Sequence, residues 1–234
     1  MDAKSELPDT AEKPMKVIHV IGGGEFGGAE QHIIQLLTLI HTEGVQGKVV
    51  CFYEAGLSQA LRERGIDVEV LRYGRFDVRL TSGLRQIFER DKPDIIHTHG
   101  VKANFFARLA ARKLDTPLVT TVHSMLRFDY ENRAAYGFAR LMEHSTRRWN
   151  SHFIAVSNAM RRSLIDEGVP PELVTVVHHG IDVTEFAPVE DGKLATVERE
   201  GADDKANGVT EETARSTTED SARGTTEDSA RGTT

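Results

Sequence analysis

Five stretches of the sequence gather residues with usable chemistry, each at the end of an apolar run. The first is Gly22-Gly23-Gly24-Glu25-Phe26-Gly27-Gly28-Ala29-Glu30. Glycine permits positive φ and lets backbone N–H groups come close to a ligand. A helix starting there adds unpaired donors and partial positive charge, so a phosphate or diphosphate is the natural guest. The second is His97-Thr98-His99-Gly100, with Lys102 just beyond. Together with His123 it offers three imidazoles, the donors of a three-histidine metal site. No carboxylate at helical metal-site spacing accompanies them, so a polar edge that touches a ligand is expected and no metal; His97 also reads as a core histidine. The third is Thr120-Thr121-Val122-His123-Ser124, whose His123 suits orienting a hydroxyl or acting on a proton. In the fourth, Ala155-Val156-Ser157-Asn158, Ser157 reads as a helix cap. It is not a nucleophile, because no G-x-S-x-G elbow surrounds it. The fifth runs from Val176 through His178, His179 and Gly180-Ile181-Asp182 to Phe186-Ala187-Pro188.

The elements that must position these residues alternate in kind. Short β-branched runs predict strands over 16–21, 48–53, 67–71, 94–97, 118–122, 152–156 and 174–178. Amphipathic stretches predict helices over 29–41, 57–64, 81–90, 102–114, 131–149 and 158–167, punctuated by Gly44, Gly65 and Gly168. Alternation of this kind predicts an α/β fold, a single doubly wound, Rossmann-like parallel sheet with helices on both faces. Ligands of such sheets bind outside the carboxyl ends of the strands, where the strand order reverses. His97 is expected to end the fourth strand, with His99 on the loop beyond it.

Composition narrows the partners. Residues 189–234 carry −6 of the formal −7 and residues 1–14 carry −2, which leaves the body, 15–188, at +1. That is not basic enough to suggest nucleic acid. The single cysteine, Cys51, allows no internal disulfide and no C-x-x-C metal site. Residues 1–14 have no apolar stretch of signal-peptide type and are expected to be disordered. Residues 189–234 hold an eight-residue repeat at 214–221, 222–229 and 230–234, with no apolar side chain larger than alanine in those repeats. Such a tail cannot offset the entropy of ordering itself and is expected to be disordered. The expected location is cytoplasmic.

The glycine loop alone also permits a nicotinamide cofactor. Gly22, Gly24 and Gly27 do fall at G-x-G-x-x-G spacing, but Gly28 follows in a longer loop and Glu54 is only the nearest acid to the usual ribose position, so this reading is set aside. No Lys-Ser/Thr follows the loop as in a phosphate loop of the Walker type.

Taken in order, the five stretches resemble the N-terminal domain of a family 4 (group 1) retaining glycosyltransferase of the two-domain GT-B architecture. The resemblance spans residues 15–188. It rests on the Gly-Gly-Ala-Glu loop, Pro-Asp-Ile-Ile-His-Thr-His-Gly, Thr-Val-His-Ser, Ala-Val-Ser-Asn and the Gly-Ile-Asp-x-x-x-Phe-x-Pro exit. What it implies is a nucleotide-sugar donor and a glycan or lipid acceptor, as in the building of cell-envelope polysaccharide. Gly24, Gly27 and Gly28 would then approach the donor diphosphate. His123 would sit beside the transferred sugar, and His97, His99 and Lys102 would line the acceptor side. His179 stands where the family usually has Asn and takes no role.

In that family a second domain binds the nucleotide and supplies a basic pair and an acidic E-x7-E motif. After Pro188 no second Rossmann-like run follows; Glu190 and Glu198 have the spacing but lie in an unpatterned polar segment, so the match is read as chance. The donor-binding domain is therefore expected on a separate chain or lost. This polypeptide alone is expected to transfer sugar weakly or not at all, since the leaving diphosphate needs preorganised positive charge. The alternative is a non-catalytic acceptor- or membrane-lipid-binding module. Arg133, Phe138, Arg140, Arg147, Arg148 and Trp149 suit peripheral contact with an anionic inner-membrane face, although Asp129, Glu131 and Glu143 interrupt the basic surface.

Overall fold

The computed structural model describes residues 13–24, 26–74 and 77–180. The expectations for the extreme N-terminus, the exit after Gly180 and the repeat tail lie outside the described residues. Seven strands form one parallel sheet: β1 (Met15–Ile21), β2 (Val45–Cys51), β3 (Asp67–Val70), β4 (Ile95–His99), β5 (Leu118–Val122), β6 (His152–Ala155) and β7 (Val174–Val176). Their order is β3-β2-β1-β4-β5-β6-β7. The chain thus winds outward in one direction from β1, crosses back, and winds outward in the other from β4.

The strands are apolar on both faces because both faces are covered. On one face Ile21, Val49 and Cys51 pack against Ile33, Ile34 and Leu37 of α1 (Gly28–Leu39) and Leu57 and Leu61 of α2 (Gly56–Glu63). On the other, Ile18, Val20, Val50 and Ile96 pack against α3 (Arg79–Asp91) and α4 (Val101–Ala111). The third core joins β6 and β7 to Leu164 of the last helix, α7 (Asn158–Asp166), whose first turn is capped by Ser157 accepting from the Met160 N–H at 3.2 Å.

Turn chemistry follows the sequence. Gly44, Gly65 and Gly168 take positive φ where glycine was expected to stop a helix. Lys92, with φ 46°, does the same at the end of α3 without being glycine. It faces Pro93, which cannot continue a helix.

Most element bounds shift by one to three residues from expectation, as at β2, α4 and β7, and two departures bear on the site. β4 runs on to His99, because His97, Thr98 and His99 are all buried and ladder-paired to β1 and β5. The expected helix over 131–149 is two pieces, α6 (Arg133–Thr146) and a tight turn at Arg147–Trp149, and a single unexpected turn, α5 (Leu126–Asp129), precedes it. Asn132 starts α6 by accepting from the Ala134 and Ala135 N–H groups.

Candidate functional site

β1 and β4 are hydrogen-bonded neighbours, yet α1 leaves β1 toward one face and α4 leaves β4 toward the other. The loops diverge and a crevice opens at their carboxyl ends. A cleft of about 910 Å³ occupies it, lined by Gly22, Gly23 and Gly24 on one side and by residues 99–104 and 121–126 on the other.

The glycine loop is shaped by contact as much as by flexibility. Gly23 takes φ +72°, and a Cβ there would meet Cys51 Sγ at 3.3 Å. A Cβ on Gly24 would stand 2.9 Å from the Tyr53 ring. That ring is held in turn by Lys102, whose ammonium donates to the Tyr53 hydroxyl at 2.8 Å and lies 4.6 Å from the ring centre. Gly27 behaves otherwise than expected. Its N–H donates to the Glu30 carboxylate at 3.0 Å, so the helix supplies its own anion at that donor. Neither Gly27 nor Gly28 lines the cleft, whereas Gly24 does. Glu54 also lines it, but its carboxylate is taken by Arg62, Arg72 and the Ser58 hydroxyl, which hold it down to about 2.

Behind the cleft stands an array of imidazoles. His19 Nδ1 lies 3.2 Å from His99 Nε2, and His99 Nδ1 lies 3.0 Å from His123 Nε2. His97 packs at 4.3 Å from the His99 ring and bonds Thr121 Oγ1 at 2.7 Å. His32 of α1 stacks on His179 at 3.9 Å, and both rings face His123. Burial pulls His19 and His32 down to about 4 and His123 to about 3, with neighbouring imidazoles adding to the effect. One nitrogen from each of His19, His97 and His99 lies within 4.8 Å of the others. Holding an ion there would put a double positive charge among buried neutral rings, with no carboxylate in the group to balance it.

The far end of the cleft is built by α4, α6 and α7. Arg108, fully buried, pairs with Glu143 and donates to Thr120 Oγ1 at 3.1 Å. Burial lowers its pKa and Glu143 opposes that. Asn104 donates to the same Glu143 carboxylate, which fixes its amide orientation and leaves Asn104 Oδ1 buried without a partner. His123 Nδ1 is likewise buried and unpartnered. Both residues line the cleft, as do Arg140, His144 and Arg147.

Of the residues singled out by sequence, Gly24, His99, Lys102 and His123 meet around this cleft. His97 stands behind the wall, turned to Thr121. His99 is a buried strand residue at 1% exposure rather than a loop residue, though its edge reaches the cleft. Sequence reasoning missed Asn104, Glu143, His19 and His32. His19 carried a signal in being the one polar residue within the run from Val17 to Ile21.

The sequence matches the model of Glycosyltransferase Family 4 over residues 26–185. Among curated proteins it is 27% identical over 114 residues to the Escherichia coli UDP-Gal:alpha-D-GlcNAc-diphosphoundecaprenol alpha-1,3-galactosyltransferase, covering 48% of this chain and 30% of that one. It is 26% identical over 202 residues to a D-inositol 3-phosphate glycosyltransferase of Kineococcus radiotolerans, covering 77% and 46%. Among solved structures, Anabaena HepE in complex with UDP-glucose superposes with a TM-score of 0.59 at 24% identity, over 73% of this chain and 45% of that one. The chain spans less than half the length of each of these proteins.

Proposed function

Since this chain belongs to glycosyltransferase family 4, we propose that its folded domain is the acceptor-side half of a retaining glycosyltransferase that moves a sugar from a nucleotide-sugar donor to a phosphate-bearing acceptor. The observation that carries this reading is the cleft at the β1–β4 reversal, where Gly24, Lys102 and His123 converge. The Gly22–Gly24 backbone is the side that approaches the donor diphosphate, and His123 stands where the sugar would be. The Asn104 amide oxygen, buried and unpartnered, awaits a hydroxyl hydrogen. Arg140 lines the same end of the cleft and forms no ion pair among the described residues. A polyol that carries phosphate answers to both. The two curated relatives support that choice, since one is named for a diphosphate-linked lipid and the other for an inositol phosphate.

Glycosyl transfer needs positive charge on the departing diphosphate, and beside the glycine loop this wall offers backbone donors, with the nearby Lys102 ammonium held by Tyr53. The cleft is open, so water weakens each contact. A second, donor-binding domain facing this one, on this polypeptide or another, completes the reading. Saturation-transfer NMR with UDP-glucose, UDP-galactose and inositol phosphate tests it on the full chain. Saturation of the sugar and inositol protons is expected; no transfer to any of the three would contradict the reading.

One observation favours a membrane-facing role for the same domain. Of the three acids expected to interrupt the basic surface near α6, Glu143 turns inward to Arg108, Asp129 accepts from Ser124, and Glu131 stays exposed just ahead of the helix. Arg133 at the start of α6 and Arg148 in the turn after it are exposed, and α6 also carries Phe138 and Leu141 at 51% and 64% exposure. Basic and apolar groups on one helix suit an anionic bilayer surface. No helix of the described residues is long and apolar enough to cross a membrane, so contact would be peripheral. Co-sedimentation with phosphatidylglycerol vesicles at low salt is expected, with loss on Phe138→Ser plus Leu141→Ser; equal pelleting of the variant would contradict it.

A further inference from the structure

The imidazole array does something that its members could not do singly. We infer that His19 and His99 are positioning residues which, through two head-to-tail hydrogen bonds, lock His123 as the neutral tautomer that carries its proton on Nδ1 and presents that N–H to the cleft. The inference rests on the glycosyltransferase reading only for what the N–H meets there, an oxygen of the donor sugar or its diphosphate.

The derivation starts from the ring itself. A neutral imidazole has one N–H and one bare nitrogen. His99 bonds a ring at each of its nitrogens, His19 Nδ1 at 3.2 Å and His123 Nε2 at 3.0 Å. It must donate to one and accept from the other, so the two bonds run in the same direction. Only two arrangements exist for the trio. In the first, His19 Nδ1–H donates to His99 Nε2, His99 Nδ1–H donates to His123 Nε2, and the free ends are a bare His19 Nε2 and a His123 Nδ1–H. In the second, every bond reverses, and the free ends are a His19 Nε2–H and a bare His123 Nδ1.

Those two ends are the atoms that have no partner, His19 Nε2 and His123 Nδ1. They differ in surroundings. His19 is 1% exposed in the centre of β1, while His123 is a half-buried residue of the cleft wall whose Nδ1 is covered by its neighbours. A buried N–H left without an acceptor is rarer in folded proteins than an acceptor left without a donor. The first arrangement leaves only a lone pair in the core and puts the free N–H on the residue that borders the cleft, where a ligand seated against the ring supplies an acceptor. It also presents a donor to the face meant for hydroxyl and phosphate oxygens.

Among the described residues, the side chains packed on the trio carry no charge that would undo this. The groups packed around the trio are His97 from β4, His32 from α1 and His179 after β7, all imidazoles, and Thr121 from β5. Burial keeps His19, His99 and His123 neutral at physiological pH, which the one-donor, one-acceptor count requires.

The locked form is the reverse of what a free histidine side chain prefers in water, which is the proton on Nε2, and that makes the test clear. Long-range ¹H–¹⁵N NMR of the full chain, labelled in its histidines, reads the tautomer of each ring. Wild-type His123 is expected with Nδ1 protonated and Nε2 bare. In His99→Phe the lock is gone, and His123 is expected to revert largely to the Nε2–H form while the rest of the spectrum stays folded. UDP-glucose affinity in that variant should fall about tenfold, the loss of one oriented hydrogen bond. A wild-type His123 protonated on Nε2 overturns the inference even if His99→Phe fails to fold. So does a His123 whose tautomer is the same with and without His99. If the tautomers behave as expected but no nucleotide sugar binds, the lock stands and the glycosyltransferase reading falls.

Discussion

Gly24 and Tyr53 set the entrance to the cleft between them. The glycine leaves room for a ring that Lys102 grips from the far side, so a side chain at position 24 would push that ring off its ammonium partner. Gly24→Ala is expected to leave the unfolding midpoint nearly unchanged and to weaken UDP-glucose binding several-fold, as judged by ligand-observed NMR titration. Tyr53→Phe keeps the ring and loses only the hydroxyl, so a smaller loss is expected there. At this scale the sequence was informative wherever a residue type is rarely used without cause. Triple glycine before a helix and histidine at strand ends are of that kind. It assigned Gly27 to the donor diphosphate without showing that its N–H is already taken, because the fact that Glu30 reaches back to it depends on where α1 begins.

Helices α4 and α6 are joined through a charge that has no other outlet. The Arg108 guanidinium is fully buried and Glu143 is its one acidic partner among the described residues, with Thr120, Thr146 and Asn150 accepting further N–H groups. Removing one member of a buried pair costs about 3–5 kcal/mol, because the other is left charged and unpaired. Glu143→Ala should lose that much by urea denaturation, whereas Arg108→Met, which removes the buried charge itself, should cost less. Strand and helix positions were legible from β-branched runs and amphipathic spacing. The extra residues of β4 were not, since a His-Thr-His run reads as loop until the partners that satisfy it are known. Those partners come from β1 and β5, far off in sequence, and the order β3-β2-β1-β4 that brings His19 beside His99 is written in no local pattern.

As a whole the molecule carries six of its ten histidines, at 19, 32, 97, 99, 123 and 179, in one connected group. All six are held below the ordinary value of 6.5, chiefly by burial. The unfolded chain takes up protons at these sites below pH 6.5 and the folded chain only at lower pH, near 4 at His19 and His32 and near 3 at His123, so the unfolded state binds more protons in that window. Stability therefore falls as pH drops from 6.5 toward 4 and is independent of these groups above it. His19 alone contributes a loss of about 2 kcal/mol by about pH 5. Urea midpoints measured between neutral pH and that point should decline steadily, before the paired carboxylates Glu54 and Asp91, held well below the usual range, begin to protonate. A flat profile would mean that the rings are not buried together in solution.

The central claim is that the crevice between β1 and β4 is one wall of a sugar-nucleotide site. Titration of the ¹⁵N-labelled chain with UDP-glucose, followed by amide shifts, tests it most directly. Shifts are expected at Gly22, Gly23 and Gly24, at Gly100 to Lys102 and at His123, with weak affinity of roughly millimolar Kd, as one wall alone would give. Sub-micromolar binding, or shifts confined to other parts of the domain, would contradict the account.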